Sequence, residues 1–420
     1  MGKPVNTAKE IWRFYRKTLT LVFTGSKEYY MWCILLLCIM LIGFLSYLKQ
    51  AQVGLITTNM RDQVAWGLYI ANFTYLVGVA AAAVLLVVPA YIYDFGPIKE
   101  IVVLGELFAA SSITMALLFV FADLGRLDRF WHMFPGIGSM NFPDSLLAWD
   151  VIFLNGYLAL NLVIPIYLLI KMYYGKEPNK KFIVPLILMS IPWAVGIHTV
   201  TAFLYNGLPA RPFWNASILA PRFLASAFCS GPAIIIIIFQ IIREYTYIKI
   251  ADRALFKIAE LMAYAMFLNL FLLLAELFKE LYSNTVHIAS VKYLYEGLHG
   301  HYALVPWIWV GMILNLLAFG IFLFPGTRKR LSTLNLGCVF IIAGVWIEKG
   351  PGFVIPGFVP DVLGEIYEYI PNIRELLISF GIWAAGFLMF TLLMKVAIPI
   401  TSGEFSHAKY ETDRPVSKAE

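Results

Sequence analysis

The sequence predicts an all-α integral membrane protein of about ten transmembrane helices, and three observations carry that prediction. Apolar residues make up 60% of the 420-residue chain and charged residues 14%, with a mean hydropathy of +0.76. A soluble domain holds about 45–50% apolar and about 25% charged residues, so this chain has too few polar side chains to cover a water-soluble surface. The apolar residues also gather in ten long runs, not in the short alternating segments of a β-barrel. Finally, lysine and arginine divide unevenly between alternate loops. The same figures exclude a soluble enzyme, a disordered chain and a collagen-like one. The net charge of +6 is an orientation signal and not a nucleic-acid footprint.

The chain opens on a basic amphipathic stretch, 2–29, with Lys9, Trp12, Phe14, Tyr15 and Leu21. It suits a helix lying on the membrane surface, and it lacks the apolar core and small-residue cleavage site of a signal peptide. The ten runs follow at roughly 30–48, 65–92, 100–122, 147–170, 182–205, 217–242, 254–279, 303–324, 331–348 and 375–398. Each is long enough to cross about 30 Å of hydrocarbon as a helix; the ninth is the shortest. An even number of spans puts both termini on one side. That side, with the alternate loops and the tail, holds 21 of the 32 lysines and arginines, against 10 on the other. Basic residues stay in the cytoplasm, so both termini are expected there.

The outer loops are the longer ones, about 123–146, 280–302 and 349–374. With the shorter 206–216 loop they carry Trp131, Pro135, Pro143, Trp214, Tyr295, Pro356, Pro360 and Pro371. Long loops stiffened by proline and aromatic residues make a structured outer face suited to docking a partner protein.

Cys33, Cys38, Cys229 and Cys338 all lie in apolar runs and form no CxxC or CxxCH motif. This argues against an iron–sulfur cluster, a c-type haem or a structural zinc held by this chain. Of the six histidines only His198 is well inside a span. His132, His287, His299 and His301 fall in or beside outer loops and His407 in the tail, so a bis-histidine haem within the membrane is not expected.

Charge inside a membrane is expensive and marks function by default. By depth, Asp123, Asp150, His198, Arg222, Glu276 and Glu348 fall at outer span ends and are expected in one layer, with Lys279 and Lys349 beside them. Only Glu106 and Glu260 fall in the inner half, and Asn155, Asn161 and Asn269 supply polar rungs between the levels. A histidine beside a carboxylate can carry the protons that quinone–quinol interconversion takes up or releases. The competing bland reading is a set of paired or snorkelling charges.

Residues 124–152, LGRLDRFWHMFPGIGSMNFPDSLLAWDVI, carry Gly125, Arg126, Asp128, Arg129, His132, Trp149 and Asp150. In this pattern the chain resembles the NrfD/PsrC family, the membrane subunits of polysulfide-reductase-like respiratory complexes. A second match is 196–233, with His198, Thr199, Trp214 and Arg222. Segments 293–309 and 346–400 are similar to the DsrP, HmcC and QrcD group of anaerobic sulfur-metabolising prokaryotes. The resemblance covers about residues 30 to 400. It implies an eight-helix core of two four-helix bundles with a flanking helix on either side of it. The divisions are then a surface segment (1–29), a first flanking helix and outer loop (30–64), a first bundle (65–206), a second bundle (207–349), an outer loop with the last flanking helix (350–400), and a cytoplasmic tail (401–420).

The resemblance further implies menaquinone bound near the outer face of a prokaryotic cytoplasmic membrane, with no redox cofactor in this chain. It implies a docked ferredoxin-type iron–sulfur subunit, and more distant redox subunits such as a multihaem cytochrome c. His132 and Asp150 match the family's quinone-site positions, and His198 matches the histidine-bearing motif of the second stretch. Some branches carry a histidine in the first core helix; here Asn72 and Tyr75 are the nearest polar groups.

The expected function is therefore a quinone-reactive subunit. His132, Asp150 and His198 serve the proton chemistry, with Trp149, Asp123, Arg126 and Arg222 around the quinone. Glu276 extends a proton route, and Glu106 and Glu260 are cytoplasmic inlets, which would make turnover electrogenic. The alternatives are a secondary transporter, with helices broken at Pro165, Pro192 or Pro232, and a purely structural anchor. The orientation is testable alone: a fluorescent protein fused after Glu420 is expected to fluoresce, and alkaline phosphatase joined at Gly300 to be active. The opposite pair of results overturns it.

Overall fold

The computed structural model describes residues 8–134, 136–283 and 288–407. Pro135, His287, Lys409, Arg414 and Lys418 lie outside the described residues, as does the side chain of Lys9. Among the described residues the chain is helical, without strands.

The amphipathic opening is shorter than the sequence predicts. Helix α1 is Ala8–Val22, and the first membrane helix, α2, already begins at Lys27 and runs to Val53. The break falls at Gly25–Ser26 because Ser26 Oγ accepts the amide of Tyr29 at 3.3 Å and caps α2. Tyr29 and Tyr30 donate back to Val22 O and Phe23 O, both at 2.8 Å. Phe14 is buried with its ring 5.5 Å from that of Tyr173, while Trp12 and Phe23 stay 71% and 73% exposed. Such a face suits the acyl boundary.

Among the described residues nine more helices are long and apolar enough to cross a membrane, giving ten with α2. They are α3 (Leu68–Ile92), α4 (Val102–Asp123), α5 (Leu146–Tyr173), α6 (Lys180–Asn206), α7 (Leu219–Tyr245), α8 (Asp252–Ser283), then, after the short α9 (Ile288–Tyr295), α10 (Val305–Leu323), α11 (Leu331–Lys349) and α12 (Ile373–Thr401). Pro165, Pro192 and Pro232 sit inside continuous helices, so none of them makes the break a midplane transporter site would use. The interrupted span is α3. Its first part, Leu68–Ala81, is buried throughout, and it ends in a π-helical turn, Val88–Ile92, holding Pro89.

Neighbour relations define the architecture. Helix α3 packs on α4, α4 on α5, α5 on α6 and α6 on α3, closing a four-helix ring. A second ring runs α7, α8, α10, α11 and back to α7. The rings meet where α7 lies against α3 and α6, and α11 against α3. A helix apolar all round belongs at such a centre. Helices α2 and α12 pack on each other and, through α12, on α4. They thus form one flanking pair beside the first ring and do not bracket the core.

Small residues set how closely helices approach. A Cβ built on Gly231 of α7 would lie 2.1 Å from Ala82 Cβ of α3, and one on Gly43 of α2 would lie 2.6 Å from Gly381 Cα of α12. Overpacking costs about 1–3 kcal/mol. Gly381→Leu is therefore expected to lower the unfolding temperature of the detergent-solubilised protein; an unchanged temperature would show that the pair separates freely.

The segment after α11 departs from the sequence reading. A surface loop is expected over 349–374, yet Gly352–Val359 is buried, as a helical turn at Pro351–Val354 and a 3₁₀ turn at Ile355–Phe358. The physical reason is aromatic packing. Trp214 donates to Phe353 O at 3.0 Å, and a Cβ on Gly357 would lie 1.9 Å from the Trp214 ring. Trp66 stacks on Trp214 at 5.6 Å, and Tyr205 and Phe223 meet Phe353 at 5.0 Å each. This segment closes the outer end of both rings.

Candidate functional site

Beneath that aromatic cover lie two polar clusters at the outer helix ends. In the second ring, Arg222 of α7 reaches Glu276 of α8 in a short ion pair and Glu348 of α11 at 3.1 Å. Asn315 of α10 donates to the other oxygen of Glu348 at 2.8 Å. One guanidinium has five donors in a planar fork, which is why arginine can join two carboxylates. All four helices of the ring thus contribute one side chain.

Lys349 does not extend to the interface, as its place at a span end allows. It is buried, donating to Phe223 O at 3.1 Å with its ammonium 4.6 Å from the Phe223 ring centre. A Cβ on Gly78 of α3 would lie 3.0 Å from Lys349 Nζ, so glycine leaves the room this ammonium occupies. A cavity of about 20 Å³ opens between Arg222, Glu276, Glu280 and Glu348, enough for a single water.

In the first ring, Asp150 of α5 is 2% exposed and accepts a hydrogen bond from Thr201 of α6 at 2.7 Å. His198 lies three residues before Thr201, on the same helical face. It is 1% exposed, and neither ring nitrogen has a partner. One turn beyond Thr201, Tyr205 shares a short hydrogen bond with Thr74 of α3 and is within electrostatic range of both Asp150 and Asp123. Asp123 closes α4 with Oδ1 buried and unpartnered. Nearby, Tyr69 donates to Gln50 Oε1 at 2.8 Å, and Gln50 donates to Ala122 O at 2.7 Å.

A third node ties the outer loops to these rings. Glu375 is fully buried and accepts from Asn59 N at 2.9 Å, Asn372 N at 3.0 Å and the Tyr369 hydroxyl. Tyr369 in turn accepts from Leu68 N, the start of α3, at 2.9 Å.

The expected outer layer is thus two clusters and a node. Arg222, Glu276 and Glu348 come together; Asp150 and His198 share the α5–α6 side; Asp123 is within electrostatic range of Tyr69 and Glu375. His132 is exposed on the 3₁₀ segment Leu127–Met133, its ring 3.9 Å from Trp131. Trp149 is half-buried and donates to Pro143 O at 2.7 Å, holding the 136–145 loop against α5. Arg126 pairs with Asp128 through two hydrogen bonds of 2.9 Å, which hold the Asp128 carboxyl below its usual range.

Toward the inner side, Glu106 is 2% exposed with Oε2 unpartnered, within electrostatic range of Tyr91 and Tyr157. Glu260 is half-buried and pairs with Lys257 at 3.2 Å. Asn161 and Asn269 are buried, whereas Asn155 faces outward. Asn72 accepts two indole N–H groups, from Trp346 at 3.1 Å and Trp383 at 3.2 Å.

Thr74, Thr201, Tyr205, Gln50 and Asn315 are members that sequence reasoning missed. Threonine, tyrosine and amide side chains are common in apolar runs, and only their partners mark these. Among the described residues there is no group of three or more His, Cys, Asp and Glu side chains able to hold a metal.

Among the described residues, eight apolar helices in two rings with a flanking pair beside them, and buried charge mainly at one end, define a polytopic membrane protein with a polar outer layer. The family is then specific: the polysulphide reductase, NrfD profile matches residues 56–355, and the chain belongs to that family. It is 26% identical to a selenate reductase subunit of Mesobacillus selenatarsenatis, over 86% of this chain and 92% of the relative. It is 23% identical to the Hdr-like menaquinol oxidoreductase integral membrane subunit of Archaeoglobus fulgidus, over 88% and 93%. A putative dimethyl sulfoxide reductase membrane subunit of Halobacterium salinarum is 24% identical, over 85% and 88%.

Removing one partner of a buried ion pair costs about 3–5 kcal/mol, because the remaining charge is stranded. Arg222→Met is expected to lower the unfolding temperature of the solubilised protein sharply. Adding Glu348→Gln to it should recover part of the loss. Additive losses would show that the two groups act separately.

Proposed function

We propose that this chain is the quinone-reactive membrane subunit of a respiratory electron-transfer complex, DsrMKJOP-like in composition, in a prokaryotic cytoplasmic membrane. It exchanges electrons between menaquinone or menaquinol near the outer face and a docked ferredoxin-type iron–sulfur subunit. Further redox subunits, such as a multihaem cytochrome c, stand beyond that partner.

The observation that carries the reading is the Asp150–Thr201–His198 face. Buried polar atoms almost always find partners, and an imidazole with two unpartnered nitrogens is matched by the polar edge of a ligand. Oxidising a quinol releases two electrons and two protons, and the reverse reaction consumes them. Asp150 and His198 hold or pass protons at the ring oxygens. Thr201 orients Asp150, and Arg222, with its two carboxylates, sets the local field. Glu276, beside the water-sized cavity, extends a route outward. The electrons pass to the partner subunit, which the outer loop bearing Arg126 and His132, tied to α5 through Trp149, would receive. His132 and Trp149 then border the quinone at its outer edge, and Asp123 borders it from α4. Glu106, buried and half-unpartnered below, and Glu260 at the inner end are inlets for protons drawn from the cytoplasm. The name of the Archaeoglobus relative, a menaquinol oxidoreductase subunit, supports the substrate class.

Loss of a positioned acid or base removes about 10²–10⁴ of rate. Asp150→Asn and His198→Ala in the intact complex are each expected to cut menaquinol–acceptor turnover by that order, with the full set of subunits and the unfolding temperature retained. Wild-type turnover in both, and in His132→Ala, would leave a structural anchor as the function.

A further inference from the structure

Two cavities on the flanking side are joined end to end. The deeper, about 510 Å³, lies between α2, α4 and α12 and is lined by apolar side chains such as Phe44, Phe121, Ile382 and Ala385. The outer, about 630 Å³, adds polar groups, Gln50, Arg126 and Asp128. Both share Tyr47, Leu127 and Phe130, so they form one groove. From Met40 to Ala51 along α2 it is about 16 Å long, at 1.5 Å per residue. That is close to half of the roughly 30 Å hydrocarbon core, so the groove is one leaflet deep, apolar inside and polar at the outer boundary.

The polar end is matched to a neutral head. The Arg126 charge is already answered by Asp128 through two hydrogen bonds, so the pair offers no free cation to a phosphate. Gln50 is held by Ala122 O and by Tyr69, and a side-chain amide has a second N–H to give. Tyr69 is within electrostatic range of Asp123, and Tyr205 within range of both Asp123 and Asp150. Buried polar groups therefore continue from the groove to the Asp150 side.

We propose that this groove admits and berths the isoprenoid quinone from the outer leaflet, its tail between α2, α4 and α12 and its neutral ring carbonyl at Gln50. This rests on the quinone reading above and adds its route and head contact. Ala385 lies at the deep end of the groove, past the outer start of α12. Ala385→Trp should block the tail, and Gln50→Leu should remove the head donor.

The test uses the purified intact complex, an artificial acceptor, and two quinols: a long-tailed menaquinol and menadiol, which has the ring without the tail. Ala385→Trp is expected to raise KM for the long-tailed quinol about tenfold or more and to leave menadiol within about twofold. Gln50→Leu should weaken both. Equal effects of Ala385→Trp on the two quinols, or none, overturn the groove while leaving the quinone reading intact. A wild-type complex inert to both quinols overturns both readings. Independently of activity, mass spectrometry of lipid retained by the purified wild type should find isoprenoid quinone that Ala385→Trp lacks. Only phospholipid, retained equally by both proteins, overturns the proposal.

Discussion

Arg222 holds two carboxylates from two other helices in a part of the chain that water barely reaches. In hydrocarbon such a cation would be untenable alone, and so would either glutamate. Their mutual satisfaction fixes α7, α8 and α11 at one level, and Asn315 brings in α10. Helix α7 also lies against the first ring, through α3 and α6, and α11 meets it through α3. The register set by Arg222 is thereby passed to the helices that carry Thr74, His198 and Thr201.

The seam between the rings shows how close packing makes room for chemistry. Gly231 lets α7 approach α3, and Gly78 leaves the space that Lys349 fills. A lysine there has a carbonyl and an aromatic face for company and a glutamate next to it in sequence. Its amine is within electrostatic range of His198 and of Glu348. Above, the Trp66, Trp214, Phe353 and Phe358 rings exclude water from the same compartment. A low dielectric strengthens each electrostatic interaction inside it. The arrangement therefore serves stability and chemistry with the same residues.

Depth was the most legible property of the candidate site. Because a span runs in one direction and rises uniformly, the positions of Asp150, Arg222, Glu276 and Glu348 along their runs placed all four at outer helix ends. Azimuth was not legible. Asn155 and Asn161, six residues and so about 240° apart on α5, cannot share a face, and only the packing shows that Asn161 is the inward one. A membrane helix that is apolar on every side has no sequence signal for which face meets protein. Partners from distant segments were hidden for the same reason: Asn315 and Glu348, or Gln50 and Tyr69, meet only through packing.

What the sequence by itself determined is the membrane class, the number of spans, the side expected for each terminus, and the level of most ionisable groups. These follow from local quantities, the length and apolarity of each run and the placement of lysine and arginine. Only the tertiary structure decided that α2 and α12 pair beside the first ring, that 352–359 is buried as a cover and not a loop, and that the outer charges separate into two clusters and a node. Each of these depends on side chains far apart in the chain finding one another. In a bilayer, where apolar faces are equally content against lipid or protein, the few buried polar groups and glycine contacts make that choice.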